Sequence, residues 1–467
     1  MKKGIDMKIL LLNPPSQKLV LRDQYCSFTS KANYYWPSID LLVQSGILSQ
    51  KYEVKVLDAV IEKMEEASCY EVIRRISPDC ILFVTGITSY KGDFEFMKEV
   101  KARHPCHVIA SGGFLLNTYR QYLREYSFLD AILTNFCSAA IGSYLEGDED
   151  ITDLAYRRDG EIIHRKGPGG QVSYPVPRHE LFPIEKYRLP HGRRYPFSCV
   201  ITNFGCPFHC KFCVAHDISY RERAVDEIME ELIYLNKLGI REVFFKDFTF
   251  GVNKKKLLHL CERMARETDL TWVCASRADV LNEEAILAMK RAGCHTIQFG
   301  IETANQKLLS NYKDKISIEQ IEKILALCRR HKINTLGHFI IGLPGETKES
   351  VKETIKFSKR MKCDYASFNL ATPLLGTELR EKCIEEGYID PEPEEYDLTA
   401  GKAAIQTELL SKEELSRLKN HAIRSFYFRP GYILQRIRGI HSFRNLLSLI
   451  REGTAIFKNY IKDISSR

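Results

Sequence analysis

Short apolar runs alternate with amphipathic stretches along the first third of the chain. Met7 to Asn13, Tyr52 to Leu57, Cys80 to Thr85, His107 to Ala110 and Ala131 to Leu133 read as strands buried on both faces. Between them, Ser38 to Ser49, Ile61 to Ile76, Phe94 to Arg103 and Leu115 to Glu125 carry apolar residues at helical spacing. This alternation predicts a doubly wound, Rossmann-like parallel sheet over residues 1–146. Ligands of such sheets sit beyond the carboxyl ends of the strands, here Asn13 to Ser16, Thr85 to Ser89 and Ser111 to Gly113.

The texture changes over residues 147–195, where Asp159-Gly160 signals a hairpin and prolines recur, as expected of a linker. A second alternation fills residues 196–380. Its strands are predicted at Phe197 to Thr202, Glu242 to Phe245, Trp272 to Ala275, Thr296 to Ile301, Thr335 to Ile341 and Tyr365 to Leu370. Helical patterns lie between them, from Val225 to Leu238 through Lys348 to Met361. Six strand-helix units fall short of the eight of a closed barrel, so a partial (β/α)6 barrel is expected, with its reactive groups at the strand carboxyl ends. Residues 381–467 read as a helical, basic C-terminal region, with apolar positions such as Ile423, Phe426, Ile433 and Ile437 set among arginines.

At 467 residues the chain needs more than one core, and 44% hydrophobic with 27% charged residues is an ordinary globular composition. Charge is distributed unevenly. Ser411 to Arg467 holds 12 Lys and Arg against 4 Asp and Glu, leaving 56 of each sign before it, so the C-terminal segment carries the whole surplus of +8. Nucleic acid, an acidic membrane surface, an anionic substrate or plain solvation are each compatible with it. Plain solvation of a basic helical face is the first of these readings, peripheral contact with anionic lipid is carried beside it, and no nucleic acid is expected. No run of 18 apolar residues suggests a membrane span, and the charged Met1 to Asp6 does not resemble a secretory signal. A cytoplasmic protein with free cysteines is therefore expected.

Of the 15 cysteines, three stand apart: Cys206-Pro-Phe-His-Cys210-Lys-Phe-Cys213 follows the first barrel strand and Gly205. Cys80, Cys106, Cys274, Cys294 and Cys363 lie in or beside apolar runs and read as small core hydrophobes. Structural zinc would require a fourth ligand at suitable spacing, which neither His209 nor His216 supplies. A [4Fe-4S] cluster takes four ligands, so three thiolates leave one iron open to an exogenous molecule.

This loop, with Phe212 before the last cysteine, resembles the radical S-adenosylmethionine (SAM) superfamily. Further matches follow in the same order: Phe245-Lys246-Asp247-Phe248-Thr249, Ser276-Arg277-Ala278-Asp279, Phe299-Gly300-Ile301-Glu302-Thr303, the run Phe339 to Thr347, and Ala371 to Thr377. The resemblance implies that Cys206, Cys210 and Cys213 hold the cluster and that SAM binds its open iron. Asp247 and Glu302 would meet the amino group or ribose hydroxyls of SAM, Arg277 its carboxylate, and Gly342 and Gly345 its adenine. Electrons would come from a donor such as flavodoxin or ferredoxin.

The N-terminal region resembles the cobalamin-binding domain fused to many such enzymes, through Asn13-Pro14-Pro15, Ser77-Pro78-Asp79, Thr85 to Ser89 and Gly112-Gly113. By that resemblance Asn13, Thr88, Ser89, Gly112 and Gly113 would hold cobalamin. Two departures matter: Asp58 to Lys63 contains no histidine to serve as a lower cobalt ligand, and Thr134 to Ser138 replaces the usual glycine and glutamate. The implied activity is methylation of an unactivated carbon of a small-molecule or lipid-like substrate. The alternatives are a radical cyclase or oxidase without methyl transfer, a transfer-RNA methylthiotransferase, and a binding protein that has lost the chemistry.

Overall fold

The computed structural model describes residues 7–30, 34–189, 191–391, 397 and 402–438. Its chain forms β1 (Lys8–Asn13), a hairpin of β2 (Val20–Arg22) and β3 (Ser27–Thr29), then β4 (Glu53–Asp58), β5 (Cys80–Val84), β6 (His107–Ser111) and β7 (Ala131–Leu133). The expected linker hairpin is β8 (Leu154–Arg158) and β9 (Glu161–His164), and it extends the first sheet. That sheet has the order β4-β1-β5-β6-β7-β8-β9, parallel as far as β7 and antiparallel beyond. Alternation within β1 explains its uniformly apolar reading. Ile9 and Leu11 enter one core with Leu82 and Val84, whereas Leu10 and Leu12 enter another with Ile81 and Phe83.

Three short strands, β10 (Gly170–Gln171), β12 (Asn203–Phe204) and β13 (Arg221–Glu222), make a small sheet. The six strands β11 (Phe197–Val200), β14 (Glu242–Phe245), β15 (Thr271–Ser276), β16 (Cys294–Glu302), β17 (Asn334–Ile341) and β18 (Tyr365–Leu370) pair in chain order, all parallel. This is the partial barrel, joined to a Rossmann-like sheet by a shared core: Phe197, Cys199, Ile201 and Val273 pack in one cluster with Tyr35, Trp36 and Leu42 of the N-terminal region. The remaining faces of the barrel strands, including Val200, Phe245 and Trp272, pack on its helices.

One helix begins later than its periodicity suggests. The Ile61 to Ile76 helix starts at Glu66, because the Asp58 carboxylate accepts the Ile61 N–H at 3.3 Å and Lys63 adopts a left-handed φ of 54°, so residues after Asp58 form a separate turn. The helical expectation from Gly401 onward is met at Lys412–Tyr427 and Pro430–Arg438, and residues 439–467 lie outside the described residues. Among the described residues no helix is long and apolar enough to cross a membrane.

Below the first sheet's carboxyl edge lies a buried polar floor. Asp58 accepts from the Asn13 amide at 3.1 Å and from the Tyr187 hydroxyl at 3.0 Å. Burial raises its carboxyl to about 6, with the Ile61 N–H and the Tyr187 hydroxyl opposing the shift only in part. Between the ordinary carboxyl value near 4 and about 6 the folded chain holds a proton that the unfolded chain releases. Stability therefore falls as pH rises through that window and stays lower above it, by about 3 kcal/mol for two units. In Asp58→Asn, chemical denaturation at pH 4.5 and pH 7 is expected to show a smaller difference than in the parent chain; equal differences would refute this assignment.

Candidate active site

The barrel brings every sequence-selected segment of residues 196–380 to one rim. Gly205 opens the cysteine loop with φ of 75°, and a Cβ there would lie 2.5 Å from the Ile218 carbonyl oxygen and 2.7 Å from that of Ser219. Only glycine permits this entry. Cys206, Cys210 and Cys213 are partly exposed, unlike every other cysteine except Cys26, and all are free thiols. Cys206 Sγ lies 3.6 Å from the Thr249 hydroxyl, Cys210 Sγ accepts from the Arg277 guanidinium at 3.5 Å, and Cys213 Sγ accepts from the Ala215 N–H at 3.4 Å. Burial raises the Cys213 thiol to about 12; it also raises Cys210, against the opposing charges of Lys313 and Arg277.

The polar rim residues divide by what already occupies them. Asp247 accepts from the Thr202 N–H at 2.7 Å, the Thr202 hydroxyl at 2.7 Å and the Asn203 N–H at 3.1 Å. It thus anchors the backbone that leads into the cysteine loop, and burial lifts its carboxyl to about 6. Arg277 is held by Asp279 at 2.8 and 3.0 Å and by the Asp314 carbonyl at 2.8 Å, and its guanidinium lies 4.0 Å over the Phe208 ring. Glu302 sits at an irregularity in the β16–β17 register, with φ of 64°, a backbone strained for a residue with a side chain. Its carboxylate receives Lys313 Nζ at 3.0 Å, and Lys313 also donates to the Gly300 carbonyl at 2.6 Å.

Lys313 is a site residue that the sequence patterns did not single out. It follows the short helix Gln306–Tyr312, and its backbone bridges that of Cys210. The readable signal was Asn305, which caps that helix by accepting from the Leu308 N–H at 2.9 Å. The two glycines selected together differ. A Cβ at Gly342 would meet Leu415 of the Lys412–Tyr427 helix at 2.9 Å, so this glycine makes room for packing, whereas Gly345 has nothing within 4 Å. Glu346, also unforeseen, is buried; one carboxylate oxygen accepts from the Gly342 N–H at 2.6 Å and the other has no hydrogen-bond partner.

Across from this rim, the β2–β3 hairpin covers the carboxyl edge of the first sheet. Arg22 donates to Ser89 and Asn13 at 2.8 Å each and to Asp93 at 2.6 Å, Ser27 Oγ accepts from the Thr88 N–H at 3.2 Å, and Gln24 donates to Ser111 at 3.2 Å. A Cβ at Gly113 would lie 2.4 Å from the Gln24 carbonyl oxygen, and one at Gly112 would lie 2.4 Å from that of Thr85. Asn13, Thr88 and Ser89 therefore hold the hairpin, and Gly113 reaches the space between the two sheets. That space is a small cavity of about 50 Å³ lined by the hairpin tip, by Gly86, Ile87, Gly113 and Phe114, and by Val214, Leu374 and Leu375 of the barrel. Val214 is the residue after Cys213. At the tip, Cys26 Sγ lies 3.4 Å from Lys246 Nζ, which pairs with Asp23 at 3.2 Å.

The Radical SAM superfamily matches residues 200–358. An uncharacterized methyltransferase from Pyrococcus horikoshii is 30% identical over 456 residues, covering 94% of this chain and 96% of its own length. The chain belongs to the radical SAM superfamily. A cytidylyl-2-hydroxyethylphosphonate methyltransferase from Streptomyces wedmorensis is 23% identical over 90% of each chain. Among solved structures, the cobalamin-dependent SAM radical enzyme OxsB, with aqua-cobalamin and SAM bound, superposes with a TM-score of 0.69 at 16% identity, over 97% of this chain and 72% of its own. The likeness in fold to OxsB thus extends over both sheets.

The donor set fits the superfamily's cluster. Among the described residues no three His, Cys, Asp or Glu side chains converge on one metal ion. A four-iron cluster places each thiolate on a different iron, so the three sulfurs need only share a volume. They share a loop of eight residues, half exposed, with the cationic Arg277 and Lys313 beside Cys210. A single zinc ion finds no such convergence among the described residues.

Proposed function

We propose that this radical SAM enzyme is a cobalamin-dependent methyltransferase that modifies an unactivated carbon. The observation that carries this reading is the single cavity onto which the loop after Cys213 and the carboxyl edge of the first sheet both open. The two relatives that match nine tenths of the chain are named methyltransferases, which favours methyl transfer over the cyclase or oxidase alternative. The transfer-RNA methylthiotransferase and non-catalytic alternatives gain no support from them.

Bound at the open iron, SAM supplies a 5′-deoxyadenosyl radical on one-electron reduction, and methylcobalamin supplies a methyl group. The chain's residues do the positioning. Cys206, Cys210 and Cys213 would ligate the cluster. Lys313 would receive the SAM carboxylate, with Arg277 steadying Cys210, and Glu302 would accept from the SAM amino group or ribose. Cobalamin would rest against the bare and apolar wall of Gly86, Ile87, Gly113 and Phe114, beside the hairpin tip. Among the described residues no histidine lines this cavity. At about 50 Å³ the cavity is far smaller than a corrinoid, so cobalamin would meet this wall only with the β2–β3 hairpin moved aside.

Replacing Lys313 with methionine removes one charge-assisted contact, and the concentration of SAM needed for half-maximal cleavage is expected to rise about tenfold or more. An unchanged value would remove Lys313 from the SAM site. The overall reading is tested by anaerobic turnover of the reconstituted enzyme with a low-potential donor such as flavodoxin or ferredoxin. Candidate lipids, tetrapyrroles and small metabolites are offered as substrates, and products are followed by mass spectrometry. Methyl transfer yields S-adenosylhomocysteine and 5′-deoxyadenosine in equal amounts with a product heavier by one methylene. 5′-Deoxyadenosine with a product that has gained no carbon would establish the cyclase or oxidase reading instead. Contact of the basic C-terminal segment with an anionic lipid surface is a separate reading that does not depend on methyl transfer.

A further inference from the structure

We infer that the C-terminal helix Pro430–Arg438 is the root of a membrane-docking element that seats the enzyme on an anionic lipid bilayer. Exposed large apolar side chains are few among the described residues, and three of the five fall within seven positions: Phe428, Ile433 and Leu434, each 44–48% exposed. A local group of this kind on a surface marks a contact site. The helix that presents it is fixed to the body. The Tyr432 hydroxyl donates to the Asp364 carbonyl at 3.1 Å, and the Arg429 guanidinium donates to the Lys359 carbonyl at 3.3 Å and lies 4.4 Å over the Phe426 ring. With Tyr432 turned inward and pinned, Ile433 and Leu434 are held toward solvent by the helical rotation between neighbours.

Charge identifies the occupant. From Phe428 to Arg467 the sequence holds eight Lys and Arg against two Asp and Glu, on a chain that is neutral before Ser411. A partner protein chosen for apolar burial alone would not call for this surplus. A bilayer with anionic headgroups satisfies both halves, taking the apolar side chains at the acyl boundary and the cations at the headgroups. The apolar residues Ile437, Ile440 and Phe443 continue in the sequence among Arg436, Arg438 and Arg444, the composition of an interfacial segment.

The test is co-sedimentation of the full chain with phosphatidylcholine vesicles, with and without about 30% phosphatidylglycerol, at about 0.1 M and about 0.5 M salt, between which the screening length shortens about twofold. Binding is expected only with phosphatidylglycerol, and it should weaken about tenfold or more at the higher salt. The double variant Ile433→Asp, Leu434→Asp is expected to bind about tenfold more weakly, with its denaturation midpoint and SAM cleavage unchanged. Equal binding to neutral vesicles, indifference to salt, or full binding by the double variant would overturn the inference. So would a dimer in sedimentation velocity that the double variant dissolves, or binding to duplex RNA in place of vesicles. The outcome is independent of methyl transfer, since cluster absorbance and SAM cleavage are read on the same preparation.

Discussion

Replacing any one of Cys206, Cys210 and Cys213 with alanine is expected to abolish both the broad absorbance near about 400 nm of the reconstituted protein and its reductive cleavage of SAM. The loss should be complete rather than graded. A cluster held by two thiolates leaves two irons open, and the cations Arg277 and Lys313 beside Cys210 supply no replacement ligand. The informative control is Cys328→Ala. Cys328 is fully buried in the barrel core, where a thiol serves as a small hydrophobe, and its truncation should cost about 1–2 kcal/mol and leave the chromophore intact. Chromophore retained in a Cys210→Ala protein, at the iron content of the parent, would contradict the ligand assignment.

Arg22→Met is expected to destabilise the chain by about 3–5 kcal/mol, the cost of breaking a fully buried ion pair from one side. The side chains of Arg22 and Asp93 are 0% and 2% exposed and lie 2.6 Å apart. Removing the guanidinium takes the cation from the Asp93 carboxylate, which also accepts from the Thr85 and Ser89 hydroxyls at 2.8 and 2.9 Å, and strips the Asn13 amide oxygen and the Pro14 carbonyl of the donor that now serves each at 2.8 Å. The double variant Arg22→Met, Asp93→Leu should recover a large part of the loss, because no buried charge is then left uncompensated. Denaturation midpoints measure the cost. Alkylation of Cys26 reports whether the hairpin has lifted, since this thiol sits at the hairpin tip beside Lys246 and should react faster when the hairpin is released. A loss below about 1 kcal/mol would mean that the hairpin is held by its other contacts.

Both alternations of strand and helix were legible because the strands are buried on two faces and their apolar runs are unbroken, as in Cys80–Val84. The cysteine loop was legible because its chemistry needs a fixed spacing. The β2–β3 hairpin was not, since each strand has three residues and the turn between them carries Asp23 and Gln24, so no element was predicted between Asn13 and Ser38. Its placement depends on contacts with Asp93, Ser111 and Leu133, far away in sequence, and no local pattern announces these. The same limit applies to function at single residues. Asp247 and Glu302 stand at strand ends in identical pattern contexts, yet one is consumed by three donors of its own backbone loop while the other faces a lysine. Asn13 and Ser89, read as ligand contacts, are committed to a guanidinium contributed by their own chain.

The order of synthesis gains a constraint from the way the cysteine loop is tied down. The Lys211 N–H, between the second and third cysteines, donates to the Tyr312 carbonyl at 3.0 Å, and the Lys211 carbonyl accepts from the Leu379 N–H at 2.8 Å. A ribosome that has delivered Cys213 must therefore add a further stretch of chain, through the last barrel strand and into the next helix, before the loop has both its tethers. The cysteine loop is accordingly tied in place only once residue 379 has been added, well after the three cysteines themselves.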